Sequence, residues 1–278
     1  MFMIGSAACS QALTTINSAN SFAYGANIGW IDWRGDIKNG AIIGDHVCSG
    51  FLWAANVGWI SLGNGAPANQ VHYGNLSAND FGVNHDGKGN LYGYAYGANI
   101  GWINFEANGA PKVDLKTGQL SGFIYSANCG WISLCNAFAC VQTDVIVPGV
   151  IAPNGLPIAW LLTHFGTTDV DVDDDPDSDG ASNGSECLAG TDPLNADDKL
   201  VVTEITKGSG WARVTWRTTP ERCYYIQKSA SLSNPQWLDS GLGCITPEGQ
   251  GTTTMRTFAE PDESMRFYRV QVVRPLAQ

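Results

Sequence analysis

One aromatic phrase occurs four times in the first half of the chain. Residues 21–33 read SFAYGANIGWIDW, 50–62 GFLWAANVGWISL, 93–105 GYAYGANIGWINF and 122–134 GFIYSANCGWISL. A phrase repeated on this scale marks stacked supersecondary units, none of which can bury its apolar face alone, so it constrains the architecture before any single residue is read. The turn asparagines Asn27, Asn56, Asn99 and Asn128 follow one another at steps of 29, 43 and 29 residues. Asn27 to Asn99 and Asn56 to Asn128 are each 72 residues, the spacing of a unit doubled once and the pair then doubled again. Residues 63–77 (GNGAPANQVHYGNLS) read as a connector between the halves.

Each unit reads as short β-strands. Phe22 and Tyr24, Phe51 and Trp53, Tyr94 and Tyr96, and Phe123 and Tyr125 are two apart, so each pair shares one strand face. An Asn-x-Gly turn follows, in which both residues tolerate left-handed backbone, and this makes a chain reversal rather than a helix. In the next strand Ile31 and Trp33 share one face, while Trp30 and Asp32 share the other. A third strand is expected before each pair, as in KVDLKTGQLS (112–121) and the Asp-Gly signal of 81–91, which makes about a dozen short strands over four units. The expected fold is all-β: a four-repeat domain built as a sandwich, barrel or propeller-like stack. Trp30, Trp59, Trp102 and Trp131 lie on the polar-alternating face. One expectation is that each packs over small residues, with its indole N–H bonded to a turn carbonyl. The other is a row of partly exposed indoles that stack on sugar rings or on a protein partner.

The 278 residues predict two or three domains, and no apolar run approaches the ~18 residues of a spanning helix. The net charge of −11 disfavours nucleic acid as a partner, because phosphate contacts need Lys and Arg. The eight cysteines include no Cys-x-x-Cys pair, so disulfides in an oxidising compartment are expected rather than zinc. Candidate bridges are Cys223–Cys244 and a local one among Cys129, Cys135 and Cys140. The opening MFMIGSAACSQA resembles the tail of a secretory leader, and cleavage after Ala12 would remove Cys9. The expected organisation is a leader or arm at 1–20, the repeat domain at 21–145, an acidic linker at 146–198 and a β-domain at 199–278.

The linker carries the most specific motif. Asp175, Asp177, Asp179, Gly180, Asn183 and Glu186 fall at positions 1, 3, 5, 6, 9 and 12 of Asp-x-Asp-x-Asp-Gly-x₅-Glu. Alternate residues of a tight loop converge hard oxygens on one Ca²⁺, the glycine allows the sharp turn, and the glutamate closes the shell. The Ala181 carbonyl would supply the position-7 ligand. Ser182 departs from the pattern of paired helix–loop–helix sensors, where an apolar residue is usual. A short helix is expected at 157–165, with Pro157 at its start. The segment at 156–198 resembles the calcium loops of thrombospondin type 3 repeats and dockerin-like modules, which implies a structural Ca²⁺ stiffening an extracellular linker.

In the last 80 residues, strands are expected at 200–206, 211–217, 222–229, 236–240, 252–258 and 266–273, with Trp216, Tyr225 and Phe267 as core candidates. This resembles a fibronectin type III-like sandwich. The whole arrangement resembles modular secreted proteins of environmental bacteria. The favoured function is a non-enzymatic extracellular structural protein: a self-associating surface, matrix or filament subunit stabilised by calcium and disulfides. Its partners would be copies of itself or other cell-surface proteins, and it could polymerise by strand addition at sheet edges. The alternative is a glycan-binding adhesion module that uses the row of tryptophans on polysaccharide. No nucleophile elbow, phosphate loop or metalloprotease motif points to an enzyme.

Overall fold

The structure is a computed structural model, and it describes residues 14–36, 38–106, 108–247, 251–262 and 266–277. Cys9 and the leader-like segment up to Ala12 lie outside the described residues. The four phrases fold as four hairpins: Ile16–Gly25 with Gly29–Asp32, Phe51–Ala54 with Gly58–Ser61, Leu91–Gly97 with Gly101–Asn104, and Phe123–Ser126 with Gly130–Ser133. Consecutive hairpins pair antiparallel, and the fourth returns to the first through Tyr24↔Ser133 and Gly25↔Ile132. The result is a closed eight-stranded antiparallel barrel. Of the three architectures expected, closure selects the barrel.

Each hairpin turns in the same way. The N–H of Ile28 donates to Gly25 O at 3.1 Å, and Val57, Ile100 and Cys129 repeat this bond to Ala54, Gly97 and Ser126. Gly29, Gly58, Gly101 and Gly130, the strand residues that follow each three-residue loop, then take positive φ (80, 81, 70 and 75°), which glycine adopts without a Cβ clash. None of the four asparagines has positive φ. They serve through their side chains. Asn56 Nδ2 donates to Ile28 O (3.0 Å), Asn99 Nδ2 to Val57 O (3.0 Å), Asn128 Nδ2 to Ile100 O (3.0 Å) and Asn27 Nδ2 to Cys129 O (3.1 Å). Every hairpin therefore reaches back to its predecessor, and the first reaches the last.

The barrel interior is filled rather than hollow, as expected at eight strands. Ala23, Ile31, Leu52, Ile60, Ala95, Ile103, Ile124 and Ile132 point inward, and Trp33, Leu62, Phe105 and Leu134 close one end. The rings of Trp33 and Phe105 meet at 6.4 Å from hairpins one and three. Those two hairpins share a pattern: alanine in the strand (Ala23, Ala95), a large aromatic at the closed end, and glycine before the turn (Gly25, Gly97). Hairpins two and four use Leu52 or Ile124, then leucine, with Ala54 or Ser126 before the turn. A Cβ at Gly25 would sit 2.9 Å from Ile28 Cγ1, and one at Gly97 2.9 Å from Ile100 Cγ1. Where a Cβ is present, at Ala54 and Ser126, the turn residue shrinks to Val57 or Cys129. This corrects the expectation of a disulfide at Cys129. Its thiol is free and buried in the barrel core, occupying the place of Val57.

The bridges observed are Cys135–Cys140, which closes a tight loop after the fourth hairpin, and Cys223–Cys244 in the last unit. That unit has two three-stranded sheets. Val202–Gly208, Trp211–Arg217 and Thr253–Ala259 form one; Leu238–Asp239, Cys223–Ser229 and Phe267–Val273 form the other. Trp216 and Tyr224 meet between them at 5.9 Å. Tyr224, not Tyr225, is the buried tyrosine, and Phe267 is only half-buried. Between barrel and sheets lie two short helices, Ile158–Phe165 with Pro157 as its N-cap, and Asn183–Ala189. No helix among the described residues is long and apolar enough to cross a membrane.

Asn27→Ala is expected to lower barrel stability by about 1 kcal/mol, the net value of one hydrogen bond. Gly25→Ala is expected to cost about 1–3 kcal/mol through overpacking, while Cys129→Val stays near neutral. Thermal unfolding of the three variants checks the set, and a bridged Cys129 would show as a large loss in Cys129→Val.

Candidate functional site

Two sites emerge, one on the barrel wall and one in the linker. The strand alternation that sends isoleucines inward sends aromatic side chains outward. Hairpin register then places them together: Tyr24 opposite Trp30, Trp53 opposite Trp59, Tyr96 opposite Trp102 and Tyr125 opposite Trp131. Each indole also meets the preceding aromatic of its hairpin, giving four triads. Their centroid distances are 5.3 and 6.1 Å at Trp30, 4.9 and 6.1 Å at Trp59, 4.9 and 6.1 Å at Trp102, and 5.0 and 6.3 Å at Trp131. Most of these contacts are edge-on, the geometry that the ring quadrupoles favour.

The four indoles are 42–50% exposed. The packed-over expectation is therefore corrected. The neighbouring-strand residues beside each indole are aromatic, not small, and they meet it at interplanar angles of 57–66° without covering it. Outward polar residues complete the girdle across the seams between hairpins. Asp32 is in register with Trp53, Ser61 with Tyr96, Asn104 with Tyr125, and Ser133 with Tyr24. Phe81, from the loop before the third hairpin, adds a ring 5.1 Å from Trp102.

The linker site is built by its turn. Gly180 takes φ +93°, and its N–H donates to Asp175 Oδ2 at 2.9 Å. The Asp179 N–H donates to Asp175 Oδ1 (3.1 Å) and Asp177 Oδ1 (3.2 Å), and the Ala181 N–H to Asp179 Oδ1 (2.7 Å). These bonds draw Asp175, Asp177 and Asp179 together, with one carboxylate oxygen from each within 4.8 Å of the others. The amide of Asn183 is tied to Asp171 O at 2.8 Å. Ser182 is the N-cap of Asn183–Ala189 and accepts from the Ser185 N–H, which explains why a polar residue stands there.

What remains unpaired is the telling feature. Asp177 Oδ2, Asp179 Oδ2, Asn183 Oδ1 and Glu186 Oε2 are buried without a hydrogen-bond partner. Of nine such side-chain atoms among the described residues, four belong to this loop, at positions 3, 5, 9 and 12. A buried oxygen left unsatisfied costs about 1–3 kcal/mol, so the loop is arranged for a further partner. Burial pushes the Glu186 carboxyl up to about 7; the Thr191 hydroxyl opposes this, and the carboxylates of Asp177, Asp179 and Asp175 add to it. The donors are all hard oxygens, which fits Ca²⁺ rather than a thiolate-seeking metal.

The histidines build no comparable site. His85 is fully buried with both ring nitrogens engaged, Nδ1 at 2.8 Å from Gly44 O and Nε2 accepting from the Gly89 N–H at 3.0 Å. Burial lowers His46 to about 4, with the neighbouring His72 and His85 adding to the effect. His164 Nδ1 lies 3.4 Å from Asp192 Oδ1.

Some site residues carry no local signal in the sequence. Strand alternation puts the triad partners on one face, but their cross-strand meeting depends on hairpin register. Phe81 carries no periodic signal. Asp45, Cys187 and Arg274 meet across 229 and 87 residues of chain, a separation no local pattern encodes. The chain matches no family model, no curated protein and no solved structure.

Calcium titrated into chelator-treated protein is expected to bind at one site and to raise the unfolding temperature. Glu186→Gln should weaken binding at least about tenfold, equivalent to about 1.4 kcal/mol. Calorimetry provides the comparison, and equal affinity in the variant would remove Glu186 from the shell.

Proposed function

We propose that this chain is a non-enzymatic extracellular binding protein whose aromatic girdle takes neutral polysaccharide, and whose linker is stiffened by Ca²⁺ held by Asp175, Asp177, Asp179, the Ala181 carbonyl, Asn183 and Glu186. The observation that carries this reading is the half-exposure of all four tryptophans in equivalent triads. Exposed apolar patches of such extent mark interaction sites on soluble proteins. A sugar ring pairs an apolar C–H face with a rim of hydroxyls. The girdle offers the counterpart: aromatic surface beside Asp32, Ser61, Asn104 and Ser133. The two disulfides favour an oxidising location.

Self-association as a matrix or filament subunit is the second reading, supported by the same girdle, since aromatic side chains dominate protein interfaces. Strand addition gains little support from the barrel, whose ring leaves no open edge among its eight strands. The Ile16–Gly25 strand is itself paired with Gly29–Asp32, Gly130–Ser133 and Val141–Thr143.

Trp59→Ala with Trp102→Ala is expected to abolish retention of the folded protein on an insoluble neutral polysaccharide. Pull-down on cellulose, chitin, xylan and a β-1,3-glucan measures it. Retention unchanged by the double variant counts against the girdle as the binding face. A wild-type protein that binds none of the four but forms concentration-dependent oligomers favours the second reading.

A further inference from the structure

We infer that the girdle is four separate, near-equivalent glycan faces, and that the protein cross-links neutral polysaccharide chains instead of holding a single one. This rests on the glycan reading above. Each hairpin supplies one triad, and the ring closes after four hairpins. The first triad therefore faces away from the third, and the second from the fourth. A stiff chain lying along one side of a closed convex barrel cannot reach the opposite side.

Each face carries its own polar group. Asp32, Ser61, Asn104 and Ser133 are in register with Phe22, Phe51, Tyr94 and Phe123 of their own hairpins, and across the seams with Trp53, Tyr96, Tyr125 and Tyr24 of the next. The pairing of Ser133 with Tyr24 exists only because the ring closes. Charge selects the occupant. The four phrases contain no Lys or Arg, and Asp32 is their sole charged residue. They offer no cation to a phosphate, a sulfate or an anionic lipid, and only hydroxyl, amide and carboxylate groups to a rim of sugar hydroxyls. The faces are graded as well: Trp53 gives the second a further indole, and Phe81 adds a ring to the third.

The test is stoichiometry. The polysaccharide that retains the protein in pull-down is represented by its hexasaccharide in calorimetry. The expected result is about four molecules per chain, falling to about three in Trp131→Ala with unchanged affinity at the rest. The long polymer should gain viscosity with wild-type protein. Trp131 is half-exposed and outside the core, and Tyr125→Ser is a second variant on the same face. A single molecule per chain overturns cross-linking while leaving glycan binding intact. Failure to bind any of the four polysaccharides overturns both.

A second inference has an independent basis. We propose that calcium locks barrel, linker and terminal sheets together through Asn183–Ala189. Glu186, the loop-closing carboxylate, is followed directly by the residues that make the cross-links. Arg222 of the terminal unit donates through Nε to Leu188 O (2.8 Å) and through a terminal nitrogen to Cys187 O (3.4 Å). Arg274 donates to Cys187 Sγ (3.1 Å) and pairs with Asp45 of the barrel (3.1 Å). Cys187 is also buried against Ala152, Leu156, Trp160 and Leu161. Without a cation, Glu186 Oε2 stays buried without a partner beside the clustered Asp175, Asp177 and Asp179, although Oε1 accepts from the Thr191 hydroxyl, and release of the helix loosens every one of these contacts.

Cys187 reports the change. In full-length protein, its labelling by N-ethylmaleimide, located by peptide mass spectrometry, is expected to be at least about tenfold faster in chelator than in calcium, as local opening exposes the thiol. Cys48 and Cys129, buried in the barrel, should stay protected. Glu186→Gln in calcium should behave like wild type in chelator. Calcium binding by calorimetry with unchanged Cys187 labelling overturns the lock. Absence of calcium binding overturns the metal reading itself.

Discussion

The barrel depends on a ring of four asparagine amides. A carbonyl can only accept, so each Asn side chain must present its NH₂ to the preceding turn, and the direction of the ring is fixed all the way round. Three of these bonds join neighbours in sequence. The fourth, from Asn27 to Cys129 O, spans 102 residues and exists only when the ring has closed. The bonds stand at the end of the barrel where the strands turn, at the seams between separately formed hairpins. Sheet closure removes the exposed edges that an open eight-stranded sheet would carry, and the amide ring ties each seam at its tip.

The interior follows from the same closure. Opposite hairpins are alike and adjacent ones differ, so small and large residues alternate around the axis. Alanine stands in the strands of the hairpins that bring Trp33 and Phe105, while Leu52 and Ile124 stand beside the smaller Leu62 and Leu134. A single unit repeated four times without change would overfill one level and leave another hollow. The doubled pair lets one barrel reach dense packing with only two kinds of hairpin.

Much of this is legible in the chain. The period-two placement of Ile31 and Trp33 against Trp30 and Asp32 gives the two faces of the wall, and the 72-residue spacing anticipates the like pairs that face each other. The acidic loop from Asp175 to Glu186 can be read from six positions, because its geometry is local. Other features depend on register or distance. The asparagine looks like a turn former by residue type, and its carbonyl partner belongs to another hairpin. Cys129 looks exceptional in the alignment of phrases until it is compared with Val57, its equivalent across the barrel. Tyr224 and Tyr225 are indistinguishable by composition, and the pairing of Cys223–Ser229 with Phe267–Val273 decides which one is buried.

The last seam to close also sets a hazard during folding. Four hairpins form from nearby residues, but Tyr24 must find Ser133 across more than a hundred intervening positions, and such long-range pairings form slowly. Until then the ribbon has two free edges, and each is shaped to receive the other. At low concentration they meet within one molecule and a barrel results. Open edges of this kind make incompletely folded β-proteins prone to pairing between molecules, and closure within one chain removes them.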